Sequence, residues 1–174
     1  MNYLFFEDNV YPLYTGNTYQ MGPSVASNIY LPSLENVTLE VKETGIELLG
    51  KSYTRGHHLV SIDDKINISL LVIENTEYYL LPEKVLYLSD KKEASIRLVD
   101  FPTEIILIFD GTNKTIYSAS PYYINGERKT GKQKIQDMDQ LVFEQGLGLS
   151  VQKQVLSIHS LFSIETSLLH FSEV

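Results

Sequence analysis

Apolar and polar residues alternate along this chain with a period of two, and the alternation recurs in segment after segment. Val37, Leu39 and Val41 are interleaved with Thr38, Glu40 and Lys42. Ile66, Ile68, Leu70 and Val72 form a second stripe, and Leu147, Leu149 and Val151 a third. Side chains two apart lie on one face of an extended strand, so each stripe is the buried face of a β-strand. Ile105 to Phe109 reads as a continuous apolar strand. Between these segments stand short turn-forming clusters: Glu43-Thr44-Gly45, Asp110-Gly111-Thr112-Asn113 and Asp137-Met138-Asp139. Alanine occurs only at Ala26, Ala94 and Ala119, whereas there are 12 tyrosines. This usage suits pleated, half-buried surfaces. The expected fold class is all-β, with many short strands arranged in sandwiches or barrels.

Charge and composition narrow the function. The chain has 174 residues, of which 43% are hydrophobic and 21% charged, enough for one domain or two small ones. Its 14 basic and 22 acidic residues give a net charge of -8. Nucleic acid and anionic lipid both call for a basic surface, so neither is expected as the main partner. Cysteine is absent, which removes disulfides, thiolate nucleophiles and cysteine metal sites. No apolar run approaches the ~18–20 residues that span a bilayer. Met1 to Val10 carries Glu7 and Asp8 and no basic residue, unlike a secretory signal. The Asn-x-Ser/Thr triplets at Asn36, Asn67 and Asn113 carry no weight without one.

One stretch, Gly126 to Gln133 ("GERKTGKQ"), has the glycine and lysine spacing of a nucleotide-binding P-loop. That loop needs a strand before it, a helix after it, and a Ser or Thr for magnesium. Here the last position is Gln133, and the residues that follow have no helical stripe. They read as Ile135, a turn, and a strand from Leu141 to Phe143. Asn125-Gly126 is a hairpin signal, because both residues tolerate positive φ. The glycines are therefore expected to make turns, and no cofactor is expected.

The same stretch resembles the closing half of a forkhead-associated (FHA) domain. That family runs Ser-x-Asn-Gly-Thr, an aromatic, Val/Ile, Asn-Gly, a loop, then Leu-x-x-Gly-Asp-x-Ile and a final pair of strands. This chain has Ser118, then Tyr123-Ile124-Asn125-Gly126, then Ile135, Asp139, Leu141 and Phe143, then the strand around Leu147 to Val151. Val85 to Ser89 resembles an opening strand, and Ser95-Ile96-Arg97-Leu98 the family's Asp-Ile-x-Leu segment. The pattern occurs twice. An offset of 67 residues carries Met21 to Leu88, Ile29 to Ile96, Leu31 to Leu98, Leu39 to Ile106 and Val41 to Ile108. An offset of 75 carries Asp64 to Ile68 onto Asp139 to Phe143, which implies a longer hairpin in the second copy. The expected organisation is two tandem FHA-like β-sandwiches: residues 1–80, residues 81–160, and a tail or linker over 161–174. The boundary falls near Tyr78 to Lys84.

Such a pair is similar to the N-terminal cytosolic region of the EssC-type membrane ATPases of Gram-positive type VII secretion systems. In that family two FHA domains precede transmembrane helices and tandem FtsK/SpoIIIE-type ATPase modules. The resemblance covers roughly residues 1–160. It implies a protein–protein interaction module at the cytoplasmic face of the cell membrane, docked onto a protein component of a secretion complex. No membrane contact by this segment and no small-molecule ligand are expected. ATP binding would belong to other parts of such a protein.

An ordinary FHA domain holds phosphothreonine with an Arg after Gly, helped by a Ser and an Asn, and an ionised donor makes the strongest of these contacts. At the Gly-Arg position this chain has Gly22-Pro23 in the first copy and Ser89-Asp90 in the second. Pro23 cannot pair with phosphate and Asp90 repels it. The Asn-Gly-Thr position is occupied by Ser120-Pro121-Tyr122. Only Asn125-Gly126 survives, as a structural turn. The resemblance therefore implies docking without phosphothreonine recognition. An alternative is a phosphopeptide reader using a rearranged basic site at Arg128, Lys129 and Lys132. Another is an unrelated β-rich enzyme or carbohydrate-binding protein with tyrosines lining its site.

Catalytic and metal sites find little support. His57 and His58, if extended, would point to opposite faces, and Arg55 to His58 reads as a loop. Asp63-Asp64 and Asp137/Asp139 fall in expected turns. His159 and His170 lie in the final segment, whose pattern does not decide between strand and helix. No metal site is expected, and the chain is read as non-enzymatic.

Overall fold

The computed structural model describes residues 1–32, 34–73, 76–81 and 84–171. Its regular structure is all β, with no helix among the described residues. The chain divides into two compact units, Met1–Glu74 and Asn75–Val174. Each unit has its own buried apolar cluster.

The first unit contains β1 (Asn2–Phe6), β2 (Asn9–Leu13), β3 (Thr18–Gly22), β4 (Ile29–Tyr30), β5 (Val37–Lys42), β6 (Gly45–Leu48), β7 (Lys51–Tyr53), β8 (Gly56–Ile62) and β9 (Ile66–Val72). Hydrogen bonds order one set as β2-β1-β9-β8 and a second as β4-β3-β5-β6-β7. The inward stripes of both sets meet in one core, with Leu4, Val60 and Leu70 from the first and Met21, Leu39 and Ile46 from the second. Every expected stripe that falls here forms a strand. The β5–β6 hairpin turns at Glu43-Thr44, and β8–β9 turns through Asp63 and Asp64, both at positive φ. Gly45 has a φ of +146°, and a Cβ there would lie 2.0 Å from the Tyr53 carbonyl oxygen. Only glycine fits where β7 crosses so close to β6.

The second unit contains β10 (Thr76–Leu80), β11 (Val85–Ser89), β12 (Ile96–Leu98), β13 (Ile105–Asp110), β14 (Asn113–Ile124), β15 (Glu127–Ile135), β16 (Leu141–Phe143), β17 (Leu147–Gln152), β18 (Val155–Ser160), β19 (Ile164–Thr166) and β20 (His170–Phe171). The longest hairpin, β14–β15, serves two layers. Up to Ser118, β14 pairs with β13; from Tyr123 it pairs with β16. The register shifts between Ser118 and Tyr122, where Ala119, Ser120 and Pro121 face Thr130 alone. Such bulges bend a strand and let it pass from one sheet to another. The core joins Leu86, Leu107 and Ile116 on one side to Phe143, Leu149 and Leu156 on the other.

Three expectations change. The strand Thr76–Leu80 pairs with β18, Tyr79 opposite Leu156, so it lies in the second unit. The last segment is not a bare tail: β19 pairs with β12 and β20 with β10. Residues 172–174 of the expected tail, and 82–83 of the expected boundary, lie outside the described residues. Arg55 to His58 is not a loop, because β8 begins at Gly56.

The internal repeat is partly visible as pairing. β3 and β4 are parallel with Met21 opposite Ile29, and β11 and β12 are parallel with Leu88 opposite Ile96. Both pairs are related by the offset of 67. From β5 onward that offset fails by one residue. Tyr19 pairs with Leu39, and its counterpart Leu86 pairs with Leu107, not Ile106. A one-residue slip exchanges the faces of a strand. Accordingly Leu107 is fully buried while Ile108 is 37% exposed. The offset of 75 also fails. β9, which holds Ile66 and Ile68, pairs with β1, as β18 pairs with β10. The counterpart of the β8–β9 hairpin is thus β17–β18, and β16 is an additional strand.

Candidate functional site

The candidate site is the loop end of the second unit, where Ser89-Asp90, the segment before β13 and the bulge of β14 come together. Ser89 is buried, and its hydroxyl accepts from the Lys91 amide at 3.0 Å. Ser120 Oγ donates to Thr103 Oγ1 at 2.8 Å, which ties the bulge to the β12–β13 segment. The Ser120 amide donates to Ser118 Oγ at 3.3 Å.

Arg97, Asp90, Lys91 and Glu104 are paired within the protein. Arg97, on β12, donates from Nε to the Asp90 carbonyl at 2.7 Å and from Nη2 to Asp90 Oδ1 at 3.1 Å. Its Nη1 donates to Glu165 Oε2 on β19 at 3.0 Å. The Asp90 carboxylate also accepts from the Asp100 amide at 3.1 Å. Lys91 Nζ lies 2.8 Å from Glu104 Oε1, which also accepts from the Tyr87 hydroxyl at 2.5 Å. Lys91 and then Tyr87 hold the Glu104 carboxyl below its ordinary range, and Glu104 in turn raises Lys91. The hydrogen bond to Glu165 leads the causes that raise Arg97. Lys92 is exposed on the same loop. Where a phosphate reader presents an open guanidinium, this end presents one already closed by two carboxylates.

In the first unit the segments between β3 and β5 contain no Lys or Arg. No Lys or Arg precedes Lys42 in the sequence. Pro23 is exposed, beside Gly22, whose carbonyl accepts from the Leu31 amide at 2.8 Å. A Cβ at Gly22 would stand 2.4 Å from Asn36 Oδ1, so the asparagine side chain fills the space over that backbone. Asn28 Oδ1 accepts from the Gln20 amide at 2.8 Å. Val25, at the tip of this loop, is 98% exposed.

The remaining positions singled out from sequence fall as follows. Ser120, Pro121 and Tyr122 do not form a recognition loop; they lie within β14. Tyr122 is fully buried, stacked on Phe143 at 5.4 Å, and its hydroxyl donates to the Gly131 carbonyl at 2.8 Å. Burial pushes its phenol up to about 12. Asn125 and Gly126, both at positive φ, form the β14–β15 turn. Asn125 Nδ2 donates to Asp139 Oδ1 at 2.9 Å and its Oδ1 accepts from the Gln140 amide at 2.9 Å, so the turn is latched to the next loop. Gly131, expected in a turn, instead lies inside β15 with a φ of +67°. Thus the P-loop-like stretch is a strand with no helix after it.

Arg128, Lys129 and Lys132 all lie on β15. Lys129 Nζ is 3.5 Å from Glu127 Oε2. Arg128 and Lys132 are four residues apart, about 13 Å along an extended strand.

His58 Nε2 is 2.6 Å from the Thr54 carbonyl, and its ring packs edge-on to Tyr53 at 5.3 Å. His57 is exposed. No cluster of three or more metal-ligating His, Cys, Asp or Glu side chains occurs among the described residues. His159 Nδ1 lies 3.5 Å from Thr76 Oγ1; the side chain of His170 lies outside the described set. Asp63 and Asp64 occupy the β8–β9 turn. Asp137 pairs with Lys114 and accepts from the Lys153 amide at 3.2 Å, beside a cleft of about 540 Å³ at the far end of β13.

What sequence reading missed was Arg97. Asp90 was legible as hostile to phosphate, but its role as the acceptor for a guanidinium seven residues later depends on the parallel β11–β12 pairing, which closes that loop.

These features define an all-β, FHA-like β-sandwich fold. A solved structure described as the N-terminal FHA domain from EssC, a component of the bacterial type VII secretion apparatus, matches with a TM-score of 0.72 at 13% identity, over 99% of this chain and 97% of that one. At that identity the likeness concerns the fold. No family profile matches the sequence, and no curated protein matches it.

Proposed function

We propose that this chain is a non-catalytic docking module made of two FHA-like domains, one in each compact unit, that binds a protein component of a type VII secretion complex without recognising phosphothreonine. The observation that carries the reading is the closed Asp90–Arg97–Glu165 cluster at the end where an FHA domain would take phosphate. The absence of any Lys or Arg before Lys42 supports it for the first unit. The fold likeness to the EssC domain supports the secretion context, and with it a place on the cytoplasmic side of the membrane. In this reading the module has no enzymatic activity of its own, and nucleotide chemistry belongs to other parts of the machine.

The test is a titration with matched phosphothreonine and threonine peptides. The reading requires that phosphate confer no advantage. An advantage lost on removing Arg97 or Arg128 would replace it with a phosphopeptide reader.

A further inference from the structure

β8 ends the set β2-β1-β9-β8, and among the described residues β9 is its only strand partner. No strand pairs with the backbone N–H and C=O groups along its other edge. Natural sheets blunt such edges with short strands, charges, proline or bulges. β4 and β7, which end the other set of the first unit, are two and three residues long. β8 has seven residues, none charged and none proline, and its register with β9 runs unbroken from Gly56 to Ile62. At its centre Leu59 is 82% exposed, more than any other large apolar side chain in a strand among the described residues. The second unit shows what such an edge takes. β17, the counterpart of β8, is covered on its far edge by the antiparallel strand β16, with Leu141 opposite Leu149. Among the described residues, nothing stands in that place on β8.

We infer that β8 of a second copy fills it, antiparallel about a two-fold axis at Leu59. Such an axis opposes residues of equal parity. Outward side chains then share one face, and the backbone groups directed away from β9 meet their equivalents. Leu59 lies against Leu59, and His57 lies opposite Ser61; all three side chains are exposed on the same face of β8. The strand ends select the same register. Arg55 of each copy falls opposite Asp63 of the other, beside Asp64, and symmetry makes the contact twice. Arg55, Asp63 and Asp64 are exposed. The remaining charge of that turn, Lys65, adjoins Ile66 on the β9 side, one strand away from the seam. An in-register parallel pairing would instead set Asp63 against Asp63 and Arg55 against Arg55, and opposed like charges destabilise a ladder.

Sedimentation velocity of the intact chain over a concentration series tests the inference. A monomer–dimer equilibrium should appear. Leu59→Lys should weaken it roughly tenfold or more, because apolar burial is lost and like charges stand opposite one another. Arg55→Glu should weaken it by roughly threefold, and Arg55→Glu/Asp63→Lys should restore it. The chain has no cysteine, so a single introduced thiol reports proximity. On oxidation Leu59→Cys should cross-link two copies faster than Val25→Cys, although Val25 is 98% exposed and random collision would favour it. All these positions are on the surface, and circular dichroism verifies the fold of each variant. A monomer at every concentration would overturn the inference. So would a dimer indifferent to Leu59→Lys, or cross-linking at position 25 as fast as at 59. Binding of an unrelated extended peptide at β8, without self-association, would give the edge to another protein and overturn it equally.

Discussion

Arg97 Nη2 lies 3.1 Å from Asp90 Oδ1, and the same guanidinium reaches Glu165 on β19. The position that should offer a cation to phosphate offers a carboxylate, and that carboxylate occupies a nearby cation. Removing both acids by Asp90→Ala/Glu165→Ala should leave Arg97 open at this end. The double variant should then gain a rise in melting temperature with inorganic phosphate that the parent chain lacks. Thermal unfolding across a phosphate series reads this directly. An equal response from the parent would mean that Arg97 is not what closes the site.

Gly45 and Gly50 separate two costs of replacing glycine. Both have positive φ, but nothing lies within 4 Å of a Cβ at Gly50, while one at Gly45 meets the Tyr53 carbonyl oxygen. Gly50→Ala should cost about 1 kcal/mol, from backbone conformation alone. Gly45→Ala adds a backbone clash and should cost about 2–4 kcal/mol. Urea unfolding of the two variants measures the difference.

Leu107 and Ile108 show how far the fold could be read from sequence. The alternating stripes, the hairpin turns and the offset that carries Met21 and Ile29 onto Leu88 and Ile96 were legible, because period and offset are written in the residues themselves; the parallel pairing of those residues was not. Neither was the register of β13. Residues 105–109 are uniformly apolar, so no alternation says which face is buried, and an extra residue before β13 shifts the repeat by one. The final segment was illegible for a related reason: its strands are short, and only their partners on β10 and β12 define them. At the candidate site, the defects at Pro23 and Asp90 could be seen, but the closure of Arg97 required tertiary pairing. The register predicts that Leu107→Ala costs about 2–5 kcal/mol. Ile108→Ser, on the outer face, should cost about 1 kcal/mol or less. Chemical denaturation of both variants checks the assignment.

Tyr122 gives the stability an alkaline limit. Its phenol ionises near 10 in the unfolded chain and near 12 in the fold, because burial disfavours the phenolate. The folded state therefore holds the proton more tightly. Its contribution is complete below pH 10 and is lost as pH rises through about 12. Burial, then the bond to Glu77, raises Tyr79 in the same direction. Tyr122→Phe should lose about 1 kcal/mol at neutral pH, from the bond to Gly131. It should also show a shallower fall in stability between pH 10 and 12 than the parent, as measured by denaturant unfolding at fixed pH values.

Phosphate-independent docking is tested most directly by calorimetric titration of the intact chain with phosphothreonine peptides and their unphosphorylated counterparts. A hydrogen bond from an ionised donor to phosphate is worth about 1.5–3 kcal/mol, a preference of tenfold or more. Because Arg97 is closed by Asp90 and Glu165, and no Lys or Arg lies between β3 and β5 of the first unit, the two forms of each peptide should give indistinguishable heats and affinities. A tenfold preference for the phosphorylated form, abolished by Arg97→Ala or Arg128→Ala, would contradict the account.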